Sequence, residues 1–216
     1  MCKETKINTA TGEIAIVLSV SELRKLYAEA THDGKKMLEA VCQDKSFFIA
    51  PSLDDYKSIK TYEDACTALG EEPLKEDALL ASGADAHVIA LMKLETISKA
   101  LWGRDFKPVP QAEWDGETWY WYVLWYFYSK REIDEIKAHP ENNKDIAALF
   151  GGLASSGAFA GFGYLITHYR PASTHAHIGF RLCQQNEERA RYFGAQFAEL
   201  WAEYLAWGFK IEERII

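Results

Sequence analysis

Apolar and polar positions along the 216-residue chain recur with two periods, and each change of period marks an element. "EIAIVLSV" (13–20) is a short β-rich run and is read as a buried strand. The pattern then turns helical. Ser19 and Glu22 have capping-box spacing ahead of "ELRKLYAEA", so a helix is expected there. "GKKMLEAVCQD" reads as a second short helix and "SFFIA" (46–50) as a second strand. Pro51 and the polar run behind it mark a boundary. Residues 1–50 are expected as an N-terminal strand and helix appendage, and 51–216 as the main domain.

The longer helices announce themselves by their ends. In 60–73, Thr61 is an N-cap, acids fill the first turn, Gly70 stops the helix and Pro73 follows. The stretch 84–103 predicts a longer helix closed by Gly103, with Ala90, Leu91, Leu94, Ile97 and Leu101 on one apolar face and His87 at its edge. Residues 106–111 ("FKPVPQ") predict a stiff connector. Residues 130–150 predict helix in parts, interrupted at Pro140. The Gly-, Ala- and Ser-rich 151–163 is read as a loop.

Strand periodicity dominates the second half. "WYWYVLWYFY" (119–128) splits into a face of Trp119, Trp121, Val123, Trp125 and Phe127 and a face of Tyr120, Tyr122, Leu124, Tyr126 and Tyr128. The first is expected in the core. The second is a tyrosine row, apolar in body and polar at the tip. Its hydroxyls either reach solvent from a covered central strand or form a stacking platform. "FGYLITHYR" (162–170) and "HAHIGFRLC" (175–183) read as two strands of a hairpin. A helix over 186–209 follows, N-capped by Asn186. It carries an aromatic stripe (Phe193, Phe197, Leu200, Tyr204) beside a small-residue stripe (Ala190, Gly194, Ala198, Ala202, Ala206). The second stripe suits tight packing on the protein's own sheet, or a homodimer contact through 186–209. "KIEERII" closes the chain as a strand or a frayed tail.

These elements predict an α+β fold. An antiparallel or mixed sheet of about four to six strands has the aromatic strand at its centre, helices mainly on one face and a long C-terminal helix.

Composition narrows the chemistry. The chain is aromatic-rich (13%) and acidic, with a net charge of −8 and no basic run, which disfavours a nucleic-acid partner. No apolar run approaches the roughly 18 residues of a membrane helix, and "MCKETKINTATGE" has no apolar signal core. Cys2, Cys42, Cys66 and Cys183 form no C-x-x-C pair. A cytoplasmic protein with reduced thiols is expected.

Three histidines and a cysteine crowd into 168–183. As a strand, 175–183 directs Ala176, Ile178, Phe180 and Leu182 one way and His175, His177, Gly179, Arg181 and Cys183 the other. An H-x-H pair can ligate a metal, but Arg181 on the same face opposes a cation. No metal and no cofactor is therefore assigned. The face reads better as an anion surface, or as an ordinary solvated strand face. Cys183 and His177 are separated by six strand positions, about 20 Å, too far for an activated pair on one strand. No catalytic motif is visible, and 151–163 lacks phosphate-loop and dinucleotide spacings. The candidate ligand or partner residues are Tyr120, Tyr122, Tyr126, His175, His177 and Arg181.

"TYEDACTALG", "KLETISKALW", the Trp/Tyr-rich strand, "GFRLC" and a helix of the form A-x-x-F-G-A-Q-F-x-x-L-W-x-x-Y make a recognisable layout. Over about 60–216 it resembles a family of uncharacterised phage and prophage proteins, also common in gut Bacteroidetes, whose strand-helix junction reads G-S-R-L-C-F-K-S and then A-x-x-A-G-K-Q-F. Gly179, Arg181, Leu182, Cys183, Gly194, Gln196 and Phe197 match that pattern. Phe180 replaces its serine and Gln184 its phenylalanine, and the histidines lie outside it. The resemblance implies a mobile-element origin and, with it, the cytoplasm of a bacterial host. "GFRL" also resembles the closing strand of formylglycine-generating-enzyme and C-type-lectin-like folds, though the helix after it does not.

The leading expectation is a non-enzymatic binding or assembly module that meets a protein partner or a small anionic ligand. The alternatives are a single-stranded nucleic-acid binder that stacks bases on the tyrosines, and a metal- or cysteine-dependent enzyme around His168, His175, His177 and Cys183.

Overall fold

A computed structural model describes the chain apart from residues 1–4, 9–12, 17, 43–44, 106–112, 114, 144–145, 147, 155–160, 172–179, 206–208 and 215–216. The first elements are an antiparallel pair, β1 (Thr5–Asn8) and β2 (Glu13–Ile16), with Lys6 opposite Ala15. Helix α1 (Val20–Glu29) opens with the expected capping box. The Glu22 N–H donates to Ser19 Oγ at 3.2 Å, and the Ser19 N–H donates back to the Glu22 carboxylate at 3.0 Å. Helix α2 (His32–Val41) starts at Thr31.

The strand expected over 46–50 does not form; Lys45–Phe48 is a 3-10 turn. Tertiary partners override the β propensity of two phenylalanines. The Phe47 carbonyl accepts from Arg24 Nε at 2.8 Å instead of joining a ladder. The Phe48 ring stacks on Tyr27 at 4.3 Å. Arg24 also donates to the Ser58 carbonyl at 3.2 Å and pairs with the buried Asp64. The other Asp64 oxygen accepts from the Lys60 and Thr61 N–H groups at 2.9 and 3.0 Å. A part-buried ion pair thus crosses the boundary expected near residue 50.

Helix α3 (Tyr62–Leu69) begins at Thr61 and ends on Gly70, whose φ of +70° suits glycine. Helix α4 (Glu76–Ala81) is short. Helix α5 (Ala86–Trp102) runs to Gly103, with φ +106°. Leu94, Ile97 and Leu101 of α5 are wholly buried, with Ile59, Ala65, Cys66, Phe193 and Trp201 in the same cluster.

The second half supplies the larger sheet: β3 (Trp119–Tyr128), then α6 (Lys130–Ala138), β4 (Ala148–Ala154), β5 (Gly161–Pro171), α7 (Glu187–Gln196), α8 (Ala198–Leu205) and β6 (Phe209–Arg214). Its order is β3-β5-β4-β6, and every pairing is antiparallel. The α+β class therefore holds. The aromatic strand, expected at the centre, stands at the end of that order. Its outer side is met at Trp121 by Gln184, through hydrogen bonds of 3.0 and 2.8 Å.

Four further expectations change. Residues 148–154, read partly as helix and partly as loop, form β4. Their glycines disfavour a strand on propensity alone, but Gly151 pairs with Gly161 inside the sheet. The expected hairpin of 162–170 with 175–183 is absent, because β5 pairs with β3 and β4. Phe180–Leu182 is a 3-10 turn rather than strand, and 175–179 lie outside the described residues. The helix expected over 186–209 breaks at Phe197 (φ −109°, ψ 27°), so α7 packs on β3 and β5 while α8 packs on α5. Ala190, Gly194, Ala198 and Ala202 are buried within the chain, so the small-residue stripe is not an outward dimer face. No described helix is long and apolar enough to cross a membrane.

Candidate functional site on the outer face of α5

The tyrosine row does not form an open platform. Tyr120 and Tyr122 are only 7% and 5% exposed. Tyr120 meets Trp102 edge-on at 5.7 Å, and burial pushes the Tyr122 hydroxyl up. Of the face expected in the core, Val123 is buried, Trp119, Trp121 and Trp125 are half-buried and Phe127 is 41% exposed. The register against β5 is regular through Leu124, and a bulge between Leu124 and Trp125 then shifts it. Beyond it Tyr126 is 42% exposed and lies beside Tyr128. Of the row, Tyr126 is exposed and Tyr128 half-buried, so the tyrosines do not form one continuous open face.

Residues 182–184 thread the core beside β3. Leu182, Cys183 and Gln184 are buried. Gln184 Nε2 donates to Ser98 Oγ at 2.9 Å, and Ser98 Oγ lies 3.4 Å from the Cys183 carbonyl, so this strap is tied to the inner side of α5. Burial pushes the Cys183 thiol up to about 12, and burial also raises Cys66. Thiols so placed hold their protons at neutral pH and are poor nucleophiles. His175 and His177 lie outside the described residues. Among the described residues no three His, Cys, Asp or Glu side chains form a metal-holding group.

Arg181 takes a different position. Three residues before the buried Gln184, it leaves the core and its side chain is 77% exposed. It lines a groove of about 260 Å³ with Leu74, Met92, Glu95, Thr96 and Lys99. The floor is apolar, from Leu74 and the 37%-exposed Met92. The rim is charged. Arg181 reaches Glu95 through one nitrogen at 3.4 Å, and Lys99 pairs with Glu71. A second hollow shares Leu74 and is lined by Lys75, Glu76, Asp77, Ala78 and the exposed Leu80. Glu76 pairs there with Lys93 at 2.8 Å. Val88, 39% exposed, sits one turn before Met92. Asp85 occupies the N-cap position of α5, yet its side chain makes no cap hydrogen bond.

The groove thus unites Arg181, the one described site candidate on α5's outer side, with residues the sequence reading did not single out. Tyr120 and Tyr122 lie on the far side of the strap, in the core. A signal for the missed residues was present. Positions 85, 88, 92, 95, 96 and 99 follow helical spacing on a face opposite Leu94, Ile97 and Leu101. Val88 and Met92 are hard to single out in the sequence because α5 is apolar on both sides of its buried stripe.

The fold and this face define an α+β protein with an apolar, charge-rimmed surface groove. Comparison with protein-family models, with curated proteins and with solved structures finds no match to the chain.

Proposed function

We propose that this is a non-enzymatic binding or assembly module of the phage and prophage kind its sequence resembles, working in the cytoplasm of a bacterial host through the outer face of α5. The supporting observation is that the exposed Met92 lies in one groove with Arg181 and Lys99, with the exposed Val88 one helical turn before it. Apolar patches rimmed by polar groups are a signature of protein contact surfaces. The rim pairs are exposed and the Arg181–Glu95 contact is single-pronged, so each is worth about 0–1 kcal/mol. A carboxylate on a partner can therefore displace Glu95 from Arg181 at small cost and gain a two-pronged contact.

Selection from a displayed random-peptide library tests the reading. The native chain is expected to enrich peptides with an apolar anchor near an acidic residue, and Met92→Glu and Arg181→Glu are expected to lose them. Enrichment that survives both substitutions would refute the assignment of this face.

A further inference from the structure

Resting on the reading of α5's outer face as a contact surface, we infer that residues 71–83, which carry α4, are a hinged strap that closes over one side of that face and sets how much of it a partner can reach. The strap hangs between two glycines. Gly70 ends α3 with φ +70°, and Gly83 follows α4 with φ +91°. A Cβ at either would meet nothing within 4 Å, so neither glycine serves packing. Both are permissive backbone positions at element ends, where hinge motion is absorbed. Between them α4 has no buried residue, and Lys75 at its N-cap position makes no side-chain cap bond. Of 71–83, Leu74 is the residue packed against the core cluster. A six-residue helix does not sustain itself in isolation. A segment with so little buried surface opens locally far more readily than the core.

A small latch on α3 and α5 keeps the strap down. The Tyr62 hydroxyl of α3 accepts from the Leu74 N–H at 2.8 Å. The Lys93 ammonium of α5 lies 5.7 Å from the centre of the Tyr62 ring and 2.8 Å from the Glu76 carboxylate. Farther along α5, Lys99 pairs with Glu71. Both ion pairs therefore run from an acid on the strap to a lysine on the helix. The Lys93 side chain is 17% exposed, so its pair is the firmer of the two. Glu71 and Lys99 are both exposed, and salt screens their attraction. The strap also builds the groove, because Leu74 lines it together with Met92 and Arg181. With the strap down, Leu74 forms one side of the groove; with the strap lifted, that side is lost and Met92 is bared. A partner seated against Leu74 binds the closed strap alone, so occupancy and closure favour each other.

Amide hydrogen exchange of the full chain, resolved by segment with mass spectrometry, tests this. Amides of 76–83 are expected to exchange at least about a hundredfold faster than those of 94–102 on the gripped part of α5. Raising salt from about 0.05 to 0.5 M should speed the strap roughly two- to fivefold and leave 94–102 unchanged. Glu76→Lys should speed the strap roughly three- to tenfold, and Glu76→Lys joined with Lys93→Glu should recover most of the loss. Unchanged exchange over 94–102 confirms that each variant folds. A strap as protected as 94–102 overturns the inference. So does exchange indifferent to both salt and Glu76→Lys, or a double exchange without recovery. The wider reading fails separately. A strap that responds as stated, in a chain that enriches no peptides, refutes the contact surface alone. A Met92-dependent peptide that binds and leaves the exchange of 71–83 unchanged overturns the strap's part in the groove and leaves the contact surface standing.

Discussion

Helix α5 has two apolar faces with opposite fates. On the inner face Leu94, Ile97, Ala100 and Leu101 are wholly buried, and Ser98 is held by Gln184. On the outer face Val88 and Met92 stand more than a third exposed among ion pairs. The chemistry of the side chains is the same on both. What differs is whether the rest of the chain supplies a cover. α3, α7, α8 and the 182–184 strap converge on the inner face, whereas among the described residues the outer one is approached by the short α4, the segment before it at Glu71 and Leu74, and Arg181. Among the described residues, the apolar area at Val88 and Met92 is left more than a third exposed.

The comparison breaks most sharply under truncation. Leu94→Ala is expected to cost about 2–5 kcal/mol, because a wholly buried leucine leaves both lost burial and a cavity. Met92→Ala should change stability by no more than about 0.5 kcal/mol, as for surface sites generally. Urea titrations of the two variants check this, and similar losses for both would mean that the outer face is core.

Alkaline pH is the next largest lever on the inner side. Cys183 has a thiol that burial raises from 9.0 to about 12. Below the lower value both folded and unfolded chains keep the proton, so the neutral thiol's burial contributes in full. Between the two values only the unfolded chain ionises, and stability falls as pH rises, by up to about 1.4 kcal/mol per pH unit for one group. Cys66 adds to the loss, and Tyr62 joins it above the ordinary phenol value of 10.0, since its own is raised to about 12. Between pH 9 and 10, Cys183→Ala should show a shallower fall than the native chain; equal slopes would remove the thiol from the account. Gln184→Ala comes below this. It removes the amide's donation to the Ser98 hydroxyl and carbonyl and empties a wholly buried position, at a cost of about 1–3 kcal/mol by thermal or urea unfolding.

How much of this the sequence disclosed depends on how local the cause was. Ser19 with Glu22, Thr61 with Gly70, and Gly103 at the end of α5 are signals whose partners lie within a few residues, and those helix ends form as expected. The errors have distant causes. Arg24, 23 residues away, takes the Phe47 carbonyl from a strand. Gly161 and β6 draw the glycines of β4 into a sheet. Gln184 meets Trp121, 63 positions earlier in the chain, and the strap closes over Tyr120 and Tyr122. The candidate surface was half legible. Arg181 stood out as a charge beside apolar neighbours, whereas its groove needed α5, α4 and the strap to come together.

A further small effect, at Arg181, also separates the two faces cleanly. Arg181 and Gln184 are three residues apart on one strap, one mostly in water and the other wholly buried. Arg181 makes its 3.4 Å contact with Glu95 from a side chain 77% exposed, so Coulomb attraction is screened and the arginine gives up rotamer freedom to hold it. Arg181→Ala should therefore change stability by less than about 1 kcal/mol, and by still less at high salt. If the outer face is a contact surface, the same substitution weakens association while leaving the unfolding midpoint where it was. A loss of stability as large as that of Gln184→Ala would place Arg181 with the core-holding residues and leave the groove without its distinguishing charge.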